Sequence, residues 1–149
     1  MQLKYELAIE IIKHFEGFKI TPYYCSSGVL TIGYGRTRNV KPRDITTRAA
    51  EEKWLINEVL KINSFINQVV EPYMSPSQMA ALISFIYNVG LGNFNRSTLL
   101  KRLNNSDKLA SEELLRWTKG SSGLSLPGLV RRRKTEKRLF DTGVVEYYG

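Results

Sequence analysis

The chain has 149 residues, 42% of them hydrophobic, enough for one domain with a real core and too many for a disordered segment. Lysine and arginine number 22 against 14 acidic residues, giving a net charge of +8. That balance favours a polyanionic partner: nucleic acid, anionic lipid, or a cell wall rich in phosphate and carboxylate.

Cys25 is the single cysteine, which excludes an internal disulfide and fits folding in a reducing compartment. Lys4, Glu6, Glu10 and Lys13 interrupt the N-terminal apolar positions, so no secretory signal is expected. Nothing approaches the roughly 20 apolar residues of a membrane span. A protein that works outside the cytoplasm without such a signal needs another way out.

Leu3, Leu7, Ile11 and Phe15, with Ile12 beside them, predict an amphipathic helix that stops near Gly17. Pro22, the turn Ser26-Ser27-Gly28, and the runs Tyr23-Tyr24 and Val29-Leu30-Thr31-Ile32 then predict a small hairpin. Gly33 and Gly35 flank Tyr34, as glycines do at a bulge or a close approach. A second helix starts at Thr46 or Thr47, carries Leu55, Val59, Ile62, Ile66 and Val69, and ends before Pro72 after roughly 24 residues. Its length suits a connector between two lobes.

Ser75-Pro76-Ser77-Gln78 is a helix start with a capping box, and the helix that follows to Val89 is apolar nearly all round. Such a helix belongs at the centre of a helical domain. Gly90 and Gly92 break it, and Ser97 or Thr98 starts a short helix. Ser106 or Asp107 caps a further helix reaching toward Gly120. Residues 120–128 read as a flexible loop, and a basic helix runs from about Leu129 to Asp141 with Gly143 as its stop. Trp54 and Trp117 read as core aromatics.

The fold class that follows is α+β and mostly helical. Residues 1–149 form one domain: a small N-terminal lobe of about 14–52, a connecting helix of about 47–70, and a helical C-terminal lobe of about 73–149 on which residues 1–15 pack.

Three residues could carry chemistry around one cleft. Glu16 ends the first helix, Cys25 follows nine residues on, and Thr31 lies in the next strand. Cleaving a glycosidic bond needs an acid to protonate the leaving oxygen and a second group on the opposite face of the sugar. A glutamate serves as the acid. A cysteine can accept a proton, attack as thiolate or orient water, and a threonine hydroxyl can hold that water. Each residue also has an ordinary reading: a solvated charge, a small buried hydrophobe, a β-former in a strand.

Glu16-Gly17-Phe18, Tyr24-Cys25 and Leu30-Thr31-Ile32-Gly33-Tyr34-Gly35 resemble the phage-type lysozymes, the muramidase endolysins. Their pattern is Glu, eight residues, Asp or Cys, five residues, Thr, and the gaps are intact here. Gln78, Ala81-Leu82, Ser84-Phe85, Asn88-Val89-Gly90, Gly92, Phe94 and Ser97-Thr98-Leu99-Leu100 resemble the family's central block. Trp117, Gly128-Leu129 and Arg131-Arg132-Arg133 with Glu136 resemble its C-terminal block.

The resemblance implies a lysozyme-like fold and hydrolysis of the β-1,4 bond between N-acetylmuramic acid and N-acetylglucosamine. It implies Glu16, Cys25 and Thr31 as catalytic, and Gly35, Tyr87 and Ser97 on the substrate cleft. It also implies an ion pair from Arg131 or Arg132 to Glu16. No metal or cofactor is expected. The partner is the peptidoglycan strand rather than nucleic acid, without stable membrane insertion, and the enzyme is a monomer. It is made in the host bacterial cytoplasm and reaches the wall through a holin-type lesion.

Two departures matter. Cys25 replaces the more familiar aspartate, leaving its role as base, nucleophile or water-holder open. Arg36 stands where many members have histidine. His14 reads as a packing or surface residue. Competing readings are a lytic transglycosylase acting on the same bond, a wall-binding protein with a dead site, and a basic helical nucleic-acid binder. The Cys25–Thr31 pair argues against the first, Glu16 against the second, and the lack of a binding motif against the third.

Overall fold

The computed structural model describes residues 3–149, with side chains from residue 5 onward. Helix α1 (Leu3–Glu16) buries Tyr5, Ala8, Ile9, Ile11 and Ile12. This face is turned from the expected one. Leu7 and Phe15 are half-buried, and the Leu3 side chain lies outside the described residues. The reason is that α1 packs on two other helices at once and so buries more than one stripe. Gly17, at φ 67°, lets the chain leave the helix, its N–H donating to the Lys13 carbonyl (3.0 Å).

Strands β1 (Lys19–Tyr24) and β2 (Leu30–Gly33) form the expected antiparallel hairpin, though β1 begins ahead of Tyr23. The register shifts between Lys19 and Tyr23, where Pro22 has no N–H for the ladder. Cys25 sits at the mouth of the turn. Its N–H donates to the Val29 carbonyl (3.0 Å) and its carbonyl accepts from Gly28 (2.8 Å).

Helix α2 (Arg48–Val69) is capped by Thr47, whose hydroxyl accepts from the Ala50 N–H at 3.1 Å. Leu55, Val59, Ile62 and Ile66 are buried as the pattern predicts, while Val69 is half-buried. Asn104 seals the far end, accepting from the Glu71 N–H and donating to the Val69 carbonyl, both at 2.8 Å.

Helix α3 (Pro76–Val89) has the predicted capping box between Ser75 and Gln78, and every residue from Ala80 to Ile86 is buried. It packs against α1, α2 and the last helix, which makes it the centre of the helical part. Gly90 ends it at φ 94°, but Gly92 does not break the chain; it lies inside a short helix, α4 (Leu91–Asn95). Helix α5 (Thr98–Asn104) follows.

The next segment corrects the sequence reading. It is a 3₁₀ helix (Ala110–Arg116), shorter than expected and not α. Arg102 pins the approach by pairing with both Asp107 and Glu113, each at 2.7 Å, which holds a tight turn where an α-helix had been expected to start. The expected loop at 120–128 contains a bridge between Lys119 and Ser125. Helix α6 (Pro127–Thr142) starts at a proline and ends on Gly143 at φ 76°.

Candidate functional site

Glu16 is the last residue of α1, so its side chain leaves the helix where the hairpin begins. It is about one-fifth exposed. Arg132 Nη1 donates to Glu16 Oε2 at 2.7 Å. The ambiguity between neighbouring arginines therefore resolves geometrically. One residue along a helix turns a side chain by about 100°, so Arg132 faces inward, while exposed Arg131 lines the cavity beside Glu16. Arg132 is itself held by Glu136 (3.3 Å) and by the Ser84 carbonyl (3.1 Å).

Gly35 faces the other oxygen. A Cβ there would lie 2.7 Å from Glu16 Oε1, and the backbone has φ +90°. Both observations explain why this position lacks a side chain. Gly33 is similar: a Cβ there would run into Glu51. Glu51 is buried and accepts from Arg36 Nε (2.9 Å), Arg36 Nη2 (3.0 Å) and Thr46 (2.6 Å). Arg36 thus has its own ion pair, which ties the segment after β2 to α2. Burial pushes the Glu51 carboxyl up, but the hydrogen bonds and charge of Arg36 and Thr46 outweigh it and hold the group below its ordinary range.

Cys25 and Thr31 belong to one cluster at the hairpin end. Cys25 Sγ lies 2.9 Å from Ser27 Oγ. Burial pushes the thiol up, but hydrogen bonds from the Ser27 side chain, the Val29 and Ser27 backbone and the Thr31 hydroxyl bring it down to about 7. At neutral pH thiol and thiolate therefore coexist. The Thr31 hydroxyl donates to the Val29 carbonyl at 2.8 Å. Tyr23 feels the charges of both the cluster and the acid. Its phenol is pushed up by burial, then by the charges of Glu16 and Cys25.

Three cavities run past these groups. One of about 590 Å³ is lined by Glu16, Asn88, Leu126, Leu129, Arg131 and Arg132. It shares Asn88, Leu126 and Leu129 with a second, of about 450 Å³, which reaches Ser26 and Ser27 beside Cys25 and also Trp117. A third, of about 400 Å³, is lined by Gly35, Thr37, Trp54, Glu58, Tyr87 and Leu91. Glu16 lines the first cavity, and Gly35, which faces its Oε1, lines the third. A linear polymer laid along them would pass Glu16.

Tyr87 lines the third cavity. Its hydroxyl donates to the Tyr34 carbonyl at 2.5 Å, and burial followed by the nearby Glu16 charge pushes its phenol far up, so it stays a donor. Ser97 does not line the groove. It is buried, donating to the Phe94 carbonyl (2.6 Å) and accepting from the Leu100 N–H (3.1 Å), so its hydroxyl is spent capping α5.

His14 is exposed and stacks on Tyr147 at 3.8 Å. Trp54 corrects another expectation. It is half-buried, edge-on to Tyr87 at 6.2 Å, on the groove wall rather than in the core. Trp117 is half-buried too, against Phe85. Glu136, Asn88 and Trp54 were not legible as site residues. The available signal was spacing, since Arg132, Arg133 and Glu136 stand at i, i+1 and i+4 on a helix.

The family described as phage lysozyme matches residues 13–136. An endolysin from Acyrthosiphon pisum secondary endosymbiont phage 1 is 34% identical, over 92% of this chain and 97% of its own length. A SAR-endolysin from Bacteriophage PS119 is 37% identical, over 82% of this chain and 74% of its own. Among solved structures, an endolysin from Escherichia coli O157:H7 phage FAHEc1 superposes with a TM-score of 0.85 at 29% identity, covering 98% of this chain and 97% of that one.

Proposed function

The chain belongs to the phage lysozyme family, and on that premise we propose which residues carry its reaction. It is a glycoside hydrolase, an endolysin that cleaves the β-1,4 bond between N-acetylmuramic acid and N-acetylglucosamine in peptidoglycan and so lyses the cell. The observation that carries the assignment is Glu16 lining the groove, with one carboxylate oxygen held by Arg132 and the other facing Gly35.

An arginine only donates, so Glu16 Oε2 must accept. A proton that Glu16 donates therefore comes from Oε1, the oxygen that faces Gly35. Glu16 gives that proton to the leaving oxygen. Cys25 acts on the opposite face, with a thiolate fraction available near pH 7. It takes a proton from water or attacks the anomeric carbon itself, and Thr31 positions the water. Gly35 and Tyr87 border the bound sugar chain. Arg132 positions the acid, and Arg131 faces the same cavity as a cation for the anionic polymer.

The division into lobes is part of the same proposal. The hairpin lobe (14–52) and the helical lobe (73–149, with α1 packed on α3) close on the glycan, with α2 as connector. The enzyme acts on the cell wall after release. For the route we propose synthesis as a monomer in the host cytoplasm and exit through a holin-type lesion. Among the described residues no helix is long and apolar enough to cross a membrane.

The test is Glu16→Gln, expected to stay folded and to lose clearing of peptidoglycan. Near-normal lysis by that variant would remove Glu16 from the acid role. NMR of the product anomer then separates the two roles of Cys25: retention supports a covalent glycosyl–sulfur step, inversion an activated water.

A further inference from the structure

Helices α3 and α6 meet over a buried ionic cluster that the reaction above does not use in full. Arg133 and Glu136 are completely buried. Arg133 Nε lies 3.0 Å from Glu136 Oε1, and Ser84 donates to Glu136 Oε2 at 2.6 Å. The Arg133 guanidinium also sits over the Phe85 ring at 4.9 Å. Burial pushes it down, the neighbouring Arg132 charge adds to this and Glu136 opposes, leaving it at about 10 and charged at neutral pH.

This arrangement is a poor way to gain stability. Arg133 Nη1 is buried with no hydrogen-bond partner, and apolar side chains of similar volume commonly stabilise such a site as well or better. What the arginine does make is one short bond outward: Nη2 donates to Asn88 Oδ1 at 2.6 Å.

That bond fixes the amide. A guanidinium has no acceptor, so Asn88 must turn its oxygen to Arg133 and its NH₂ away. Asn88 is exposed and lines the two cavities that run from Glu16 to the hairpin turn. Its Nδ2 makes no hydrogen bond to protein among the described residues. A positive charge on the amide oxygen also strengthens the amide N–H as a donor, since hydrogen bonds in series polarise one another.

We propose that Asn88, oriented from behind by Arg133 and Glu136, is a specificity residue that donates its amide N–H to the acetamido carbonyl of a bound N-acetylated sugar. This rests on the reading of the groove as the glycan site. The chemistry selects a carbonyl acceptor and disfavours a sugar with a free amine, which lacks that carbonyl. The enzyme thereby distinguishes N-acetylated glycan from de-N-acetylated glycan at this position.

The experiment compares kcat/KM on soluble peptidoglycan fragments before and after chemical de-N-acetylation. Asn88→Asp keeps an oxygen for Arg133 but removes the donor. It is expected to fold as wild type by circular dichroism and to narrow the preference for acetylated substrate by about tenfold, mainly through KM. Arg133→Met fills the volume without fixing the amide, and the same narrowing is expected. An unchanged preference in Asn88→Asp overturns the donor role. An unchanged preference in folded Arg133→Met overturns the orientation by Arg133. If Arg133→Met does not fold, Asn88→Asp alone decides. Failure of the underlying reading looks different, because the wild type itself would then release no reducing ends from acetylated fragments.

Discussion

Replacing Gly35 by alanine tests the geometry around the acid. The new Cβ would sit 2.7 Å from Glu16 Oε1 and 3.1 Å from its Cδ, where ordinary contact begins near 3.4 Å. Glu16 must retreat by about 0.7 Å, and it cannot swing freely because Arg132 holds its other oxygen at 2.7 Å. A misplacement of about 1 Å at a reacting group can cost about a hundredfold, so kcat should fall by roughly 10- to 100-fold. Alanine at φ +90° also costs about 1–3 kcal/mol of backbone strain, or roughly 3–10 °C in Tm for a chain of this size. Gly123→Ala is the control: φ is +82° and nothing lies within 4 Å, so it carries the strain without the clash. Thermal melts and initial rates on peptidoglycan separate the two effects. If both variants melt alike and lose kcat alike, the acid is not positioned against Gly35 and the reasoning fails.

Glu51→Gln should destabilise the protein at pH 7 by about 3 kcal/mol, since it leaves the buried Arg36 contact uncompensated. The Glu51 carboxyl is held below its ordinary range, so its contribution is present above the unfolded value of about 4.3 and is lost as pH falls through the lower folded value. Melts across pH 2–7 should show wild type losing more Tm on acidification than Glu51→Gln; parallel curves would show that Glu51 is not the linked group. Ser27→Ala removes a hydrogen bond to the Cys25 thiolate, so the pH midpoint of alkylation should rise from about 7 toward the free-thiol value of roughly 8.5. An unmoved midpoint would exclude Ser27 as a cause. In a Trp117→Phe background, chitooligosaccharide should quench the emission of Trp54 on the groove wall; an unchanged spectrum alongside measurable binding would place the sugar elsewhere.

How much was legible follows from what kind of interaction each feature depends on. The capping box at Ser75–Gln78, the Thr47 cap and the Gly143 stop are local backbone events, and all appear where the residues place them. The stripe of α2 was legible because Leu55, Val59, Ile62 and Ile66 are buried in a single row. The stripe of α1 was not, because that helix buries a wider face, Tyr5, Ala8, Ile9, Ile11 and Ile12. The segment at 110–116 was misread because Arg102, several residues upstream, sets its geometry through Asp107 and Glu113. Ser97 resembles a cleft residue in sequence, yet its hydroxyl is consumed by the helix it starts.

The sequence by itself determined the order of elements, the family, and the spacing of Glu16, Cys25 and Thr31. These are properties of short stretches: periodicity, caps, turns and motif gaps. Tertiary structure alone decided which arginine meets the acid, since Arg131 and Arg132 differ only in the direction α6 presents them. It also decided that Gly35 must have no side chain and that Trp54 faces the groove. The physical reason is the same in each case. These relations join residues 19 to 116 positions apart, and only the packing of α1, α2, α3, α6 and the hairpin brings them within a few ångströms.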